Sequence, residues 1–261
     1  MEKRERIEKL TQDKDEAMLL ARVYDRITAA EQRSIPAATA FLSPREQVLA
    51  AQLLRGTQPR FFGGTEAAER KMCVWLPDYL DEDWLRSEDG PCAAVRADFF
   101  AQDALSHRDF LGALMGAGIK RETVGDIFVS DGRCDFLVTR EILPYVLQNL
   151  TSAGRAKLTL HEIPLDELSV PQAQIKTIRD TVASLRLDSV VSSGFGLSRG
   201  KAALYIESGK TELGHLPCMK ADKPVAEGDV ISVRGLGKIR LEEITGTTKK
   251  GRTGIVISRF V

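Results

Sequence analysis

Cysteine and histidine are scarce: four Cys and three His in 261 residues, with no pair at the spacing of a metal site. Cys73, Cys92, Cys134 and Cys218 stand far apart, so reduced thiols packed as small apolar side chains are expected, with no metal or cofactor. Long apolar runs are missing as well. The longest stretch without a charged residue, Ile142 to Gly154, has 13 residues and includes Gln148, Asn149, Thr151 and Ser152. A membrane-spanning helix needs roughly 18 apolar residues, so none is expected. No apolar segment follows Met1-Glu2-Lys3-Arg4-Glu5-Arg6, which points to a cytoplasmic protein.

An excess of one charge is also missing from the chain as a whole, with 37 Lys and Arg against 37 Asp and Glu. With 43% hydrophobic and 28% charged residues the composition is that of an ordinary globular protein, long enough for one large domain or two to three small ones. The zero hides an asymmetry. Residues 176 to 261 hold 15 Lys and Arg against 9 Asp and Glu, net +6, which leaves 22 against 28, net −6, for residues 1 to 175. A basic final third on an acidic body suggests a polyanion-binding module, with a solvated basic face as the competing explanation.

Ala17, Leu20, Val23, Tyr24 and Ile27 recur at helical spacing and predict a helix over 3 to 32. Ser43-Pro44-Arg45-Glu46 is a capping box that opens a second helix over 44 to 55. A small helical domain is therefore expected to close near residue 70. Strand patterns follow at Met72 to Leu76 and Cys92 to Phe99, then a Gly-interrupted helix at Arg108 to Ile119. Strands Val124 to Val129 and Cys134 to Thr139 flank the hairpin signal Asp131-Gly132. Arg140 to Leu150 reads as a helix despite Pro144, and Lys157 to Ile163 as a strand. From 92 onward the order is β-α-β-β-α-β, the ferredoxin-like arrangement that RNA-recognition-motif (RRM) domains share. Such RNA platforms display aromatics on an open sheet. Phe128 and Phe136 are the candidates, but Arg133-Cys134-Asp135-Phe136-Leu137-Val138 lacks the basic Gly-aromatic signature, so both are expected to face core or partner. Gln174 to Ala183 reads as a linking strand. Two short helices at 185 to 194 and 198 to 208 follow, with Ser184 and Ser198 as caps. Strands at 211 to 213, 230 to 234, 238 to 244 and 254 to 261 complete the pattern, with a Gly/Lys-rich turn at 246 to 252.

Several motifs fail on their own terms. Gly209-Lys210-Thr211 ends like a phosphate loop, but position 204 is Leu and a helix precedes it. His107-Arg108-Asp109 imitates a kinase catalytic loop without the metal-binding Asn or an Asp-Phe-Gly downstream. Gly194-x-Gly196 and Gly235-x-Gly237 lack the third glycine of a dinucleotide site.

One pattern survives. Arg186-Leu187-Asp188, Ser198-Arg199-Gly200-Lys201-Ala202, Ile206-Glu207-Ser208-Gly209-Lys210 and Gly228-Asp229-Val230-Ile231-Ser232-Val233-Arg234-Gly235 resemble the S4 RNA-binding domain in order and spacing. Free N–H groups at the start of the second helix, the Ser198 hydroxyl, Arg199 and Lys201 together suit an RNA phosphate. Thr211-Glu212-Leu213-Gly214 departs from the Val-x-Val-Asn strand usual in S4 domains. With Phe62-Gly63-Gly64, Glu69-Arg70, His107 to Met115, Ile127 to Val138 and Val182 to Asp188, the chain resembles the YlmH family of bacterial S4 proteins over nearly its whole length, with Thr65 at a position that is often aromatic.

That resemblance implies an α+β protein in three parts: a helical N-terminal domain at 1–70, a ferredoxin- and RRM-like β-α-β-β-α-β domain at 71–170, and an αL-type S4 domain with C-terminal strands at 171–261. It implies a non-enzymatic monomer that binds rRNA and tRNA on the large ribosomal subunit carrying peptidyl-tRNA, in quality control of stalled translation. The RNA-binding residues expected are Arg186, Ser198, Arg199, Lys201, Lys210, Arg234 and Lys238.

An S4-bearing pseudouridine synthase is the main rival. Its Arg-Leu-Asp-x-x-Thr-x-Gly loop is not matched, since Val191 replaces Thr and Gly194 falls one position late, which leaves Asp188 as a residue that fixes helix packing. A methyltransferase would need a glycine-rich cofactor loop, which is not found. A protein-interaction adaptor working through the acidic front half is the third reading.

Overall fold

The periodicity over 3 to 32 belongs to two helices rather than one, α1 (Lys3–Leu10) and α2 (Lys14–Arg33). Asp13 makes the break. Its carboxylate accepts hydrogen bonds from the Asp15 and Glu16 N–H groups at 2.9 Å each, capping α2 and drawing the chain out of helical geometry. The computed structural model describes residues 3–57, 59–172, 174–248 and 251–260. The expectation of an all-helical start is not met, because β1 (Ala37–Leu42), α3 (Pro44–Leu53), β2 (Arg60–Phe62) and β3 (Lys71–Trp75) build an antiparallel sheet in the order β1-β3-β2. The strand expected at Met72 to Leu76 thus completes the first part of the chain instead of opening the next. Ala37 to Ala40 carry little strand propensity, and pairing with β3 together with burial of Phe41 and Leu42 supplies what propensity lacks. The Ser43–Glu46 capping box forms as read.

Then come β4 (Cys92–Asp98), α4 (His107–Gly116), β5 (Val124–Ser130), β6 (Arg133–Thr139), α5 (Leu143–Asn149), the small hairpin β7 (Ser152–Ala153) with β8 (Ala156–Lys157), and β9 (Thr159–Ile163). Gly132 turns the β5–β6 hairpin at φ 72°. Pro144 lies in the first turn of α5, where its missing N–H costs nothing. Strands β5-β6-β4-β9 form an antiparallel sheet, and alternation along β4 and β6 sends side chains to both of its faces. Ala93, Val95, Phe136 and Val138 meet Phe110, Leu114 and Val146 of the helices. On the other face Cys92, Ala94 and Leu137 meet Phe41, Met72, Val74 and Leu85. Phe136 is fully buried on the helix side and Phe128 packs into the second core. No base-stacking platform is open on this sheet.

The double glycine is part of that closure. A Cβ on Gly64 would lie 2.6 Å from Leu137 Cδ2, and one on Gly63 would lie 2.6 Å from the Arg70 carbonyl oxygen. Asp126 accepts from the Glu69 N–H at 2.6 Å and the Arg70 N–H at 3.2 Å, while the Arg70 guanidinium donates to the carbonyls of Val124 at 3.1 Å and Phe41 at 2.8 Å. Burial lowers the Arg70 guanidinium and raises the Asp126 carboxyl from their ordinary values, with opposite charge and backbone donors only partly offsetting it. Because these contacts join residues on both sides of position 70, the boundary expected there separates no independent cores. The chain divides instead into two compact units, Met1–Pro171 and Gln172–Val261.

In the second unit β10 (Ile175–Val182) leads into α6 (Leu187–Phe195), α7 (Arg199–Glu207), β11 (Thr211–Leu213), β12 (Leu216–Pro217), β13 (Val230–Val233), β14 (Gly237–Thr247) and β15 (Thr253–Phe260). The six strands form one antiparallel sheet, ordered β10-β15-β14-β13-β11-β12. The strand read over 174 to 183 forms as β10, an edge strand of this sheet rather than a link between parts, paired with β15 from Ile175 opposite Phe260 to Val182 opposite Thr253. Leu187, Val190, Val191, Ala202 and Ile206 of the two helices pack on Ile231, Ile239, Leu241, Ile255 and Ile257 of the sheet. The turn expected at 246 to 252 falls in part, at Lys249 and Lys250, outside the described residues, as does Val261 at the end of the last strand. Among the described residues no helix is long and apolar enough to cross a membrane.

Candidate nucleic-acid interface

Gly196 ends α6 at φ 65°, and Ser198 caps α7 two residues later, its hydroxyl accepting from the Lys201 N–H at 3.4 Å. Ser184 does not cap α6. That helix starts after Arg186, whose side chain makes no cap bond and turns to Asp188 instead. Asp188 is the centre of the cluster. Its side chain is 6% exposed, and it receives Arg186 Nη2 at 3.2 Å and Arg199 Nε at 3.0 Å. Burial pushes the Asp188 carboxyl up, and Arg199 and Arg186 together outweigh that push, so it lies below the ordinary carboxylate value. The carboxylate thereby aims two half-exposed guanidiniums past one another toward solvent.

The first turn of α7 contains no acidic residue and two basic ones, Arg199 and Lys201. Cations at a helix N-terminus oppose the helix dipole by about 0.3–1 kcal/mol each. Asp188 compensates Arg199. Lys201 is exposed, and its ammonium has no hydrogen-bond or ion-pair partner among the described residues. Positive charge is thus held where a stable helix alone would not put it, beside free N–H groups that suit an oxyanion.

The seven residues read from the sequence fall in three places. Arg186 and Arg199 meet on Asp188, and Ser198 and Lys201 stand beside Arg199 in the cap and first turn of α7. Lys210 and Arg234 join each other through the Arg234 N–H bond to the Lys210 carbonyl at 2.8 Å. They lie past the C-terminal end of α7, with the Lys210 ammonium 5.6 Å from the Tyr205 ring centre. Lys238 sits on β14 just past the tight turn that carries Arg234, with Val233 opposite Gly237. It neighbours Ile239, which packs against Gly194 of α6, so strand alternation turns Lys238 to the opposite face of the sheet.

Two residues escaped the sequence reading. The loop after β12 runs along the start of α6, where the Leu187 and Asp188 N–H groups donate to the carbonyls of Lys223 and Ala221, each at 2.9 Å. It thereby sets exposed Lys220 and Lys223 close to the Arg186 cluster. Met219-Lys220-Ala221-Asp222-Lys223 has no periodic spacing, so only the tertiary path of the loop reveals them.

Nucleophile and metal chemistry find little here. Burial pushes the Cys73 and Cys92 thiols up to about 12 and Cys134 higher still. Among the described residues no group of three or more His, Cys, Asp or Glu could hold a metal ion.

The family model described as "Putative RNA-binding domain in YlmH" matches residues 98–167. The chain is 35% identical over 223 residues to the Ribosome-associated protein quality control protein P2 of Bacillus subtilis, covering 85% of this chain and 86% of that protein. The solved structure of Cell division protein ylmH from Streptococcus pneumoniae is similar at a TM-score of 0.51 and 19% identity, covering 62% of this chain and 98% of that one.

Proposed function

Because the chain belongs to the YlmH family, we propose that it is a non-catalytic RNA-binding protein of ribosome-associated quality control. In this reading the second unit is an S4 domain that grips rRNA and tRNA on large subunits retaining peptidyl-tRNA, in the cytoplasm. Arg186, Ser198, Arg199 and Lys201 form its main phosphate contact, and Lys210 and Arg234 extend it past α7. The β-α-β-β-α-β part of the first unit is RRM-like in strand order. Since its sheet is covered on both faces, it serves as a rigid body that meets ribosomal protein or tRNA rather than as a base-reading platform.

The observation that carries the proposal is Lys201, which has no partner among the described residues, beside Arg199 at the start of α7, next to a buried Asp188 that holds the Arg186 and Arg199 guanidiniums. The same observation counts against the synthase reading. A carboxylate tied by two arginines and almost closed to solvent is suited to positioning and not to attack on a base.

Sedimentation of cell extract with and without RNase tests it. The intact protein is expected with large subunits, enriched on those that retain peptidyl-tRNA, and the Arg199→Ala/Lys201→Ala variant at the top of the gradient. Co-sedimentation unchanged in that variant would move the main contact to the first unit. A protein found only in free fractions, even at low salt after stalling, would remove the ribosome from the proposal.

A further inference from the structure

The six-stranded sheet of the second unit carries helices on one face only. Ile231, Ile239 and Ile257 point to α6 and α7, so their neighbours along each strand point the other way. On that open face Lys238 lies opposite Phe260, and Arg240 opposite Ser258. The Lys238 ammonium is 4.9 Å and the Arg240 guanidinium 6.0 Å from the centre of the Phe260 ring. One strand further on, Thr177 lies across Ser258 and Arg179 across Val256. Thr177, Arg179 and Arg240 are exposed. Glu243, on the other side of Val256 from Arg179, and Glu212, across Ser232 from Lys238, mark the acidic edges of this basic stripe.

We propose that this open sheet face is a second RNA-contacting surface, separate from the Asp188 cluster, taking the phosphates of an RNA strand on Lys238, Arg240 and Arg179. Phe260 is the apolar floor between the charges. The aromatic ring holds its two cations in place, so less side-chain freedom is lost when a phosphate arrives. Buried Ser258 and exposed Thr177 keep the row between the charges low, and the Thr177 hydroxyl suits a ribose or phosphate oxygen. Strand residues two apart are separated by roughly 6.8 Å, which lets Lys238 and Arg240 reach different phosphates. Charge complementarity favours RNA, since Lys238 and Arg240 flank Phe260 and Arg179 stands further along the same face, with the acids Glu243 and Glu212 at the margins of the patch. The inference rests on the reading that this unit binds RNA. It changes that reading's geometry, because Lys238 leaves the single site and the unit becomes two-faced, able to bridge two RNA segments.

Full-length protein carrying Arg179→Gln/Arg240→Gln, Lys201→Ala, or all three, titrated with purified large-subunit rRNA at several salt concentrations, separates the cases. The double variant is expected to weaken binding on the order of tenfold near 0.1 M salt and to lower the salt slope by about 1.4–1.8, from two lost phosphate contacts. Its effect should add to that of Lys201→Ala, as for independent sites. Unchanged affinity and slope in the double variant, with Lys201→Ala still weakened, would overturn the second surface and leave the proposed function standing. Loss that fails to add would also overturn it, by placing all the residues on one site. Full affinity for rRNA with ribosome co-sedimentation lost would assign the face to protein instead. No effect from any variant would remove the RNA-binding reading itself.

Discussion

Lys201 is placed where binding and stability pull in opposite directions. It occupies the third position of α7 after the Ser198 cap, so Lys201→Glu would complete a capping box and complement the helix dipole. That variant is expected to stabilise the second unit by about 0.5–1 kcal/mol in urea titrations while abolishing high-affinity RNA binding; joint loss of both would show a purely structural lysine. Asp188 behaves differently. Its carboxyl is depressed, so its stabilisation is complete above the ordinary Asp value near 3.9 and fades as pH falls through the lower folded value. Asp188→Asn should therefore cost about 2 kcal/mol at pH 7, discounted for the half-exposed arginines, and much less near pH 2. An equal cost at both pH values would show that the charge contributes nothing. Thr211 is fully buried, and its hydroxyl finds no partner among the described residues. Thr211→Val keeps the side chain's shape and removes that unpaired hydroxyl, so it should raise the unfolding free energy by about 1 kcal/mol. A lower melting temperature would contradict this.

At the scale of elements, the approach of α6 to β14 depends on Gly194, where an added Cβ would lie 2.6 Å from Ile239 Cδ1 and 3.3 Å from its Cγ2. Gly194→Ala brings up to about 1 kcal/mol of helix propensity and sets it against overpacking of about 1–3 kcal/mol. Ile239 is fully buried and has no room to retreat, so net destabilisation of about 1–2 kcal/mol is expected in thermal melts. A neutral or stabilised variant would mean that the helix slides without cost. The covered four-stranded sheet makes the matching point for the first unit. Phe41, Met72 and Val74 cover the sheet face opposite the helices, so the RRM-like strand order does not by itself make that face a base-stacking platform.

For the whole molecule, charge follows the division into units. Residues 172–261 hold all 15 Lys and Arg and 9 Asp and Glu counted from 176 onward, and residues 1–171 hold the acidic remainder. Each unit has its own apolar core, so a fragment of residues 172–261 is expected to fold and bind structured RNA. If about five phosphates are neutralised, its affinity should drop on the order of a hundredfold between 50 and 200 mM salt. The fragment 1–171 should bind the same RNA weakly at every salt concentration. Comparable affinity of the two fragments would show that net charge does not locate the contact.

The sequence by itself determined the local devices. The Ser43 capping box, the Asp131-Gly132 hairpin, the Ser198 cap and the β-α-β-β-α-β order all depend on residues close together in the chain, and each is present. It also groups Arg186, Ser198, Arg199 and Lys201 through the S4 resemblance, and the structure places them at the facing starts of α6 and α7. Tertiary structure decided the rest. Ala37 to Ala40 become a strand only because β3 pairs with them, and the double glycine makes sense only against Leu137 of a distant strand. Lys238 differs from Lys201 by the side of a sheet it faces, and Lys220 and Lys223 approach Arg186 by the path of a loop. Pairing partner, sheet face and loop path are relations between distant residues, and no window along the chain contains them.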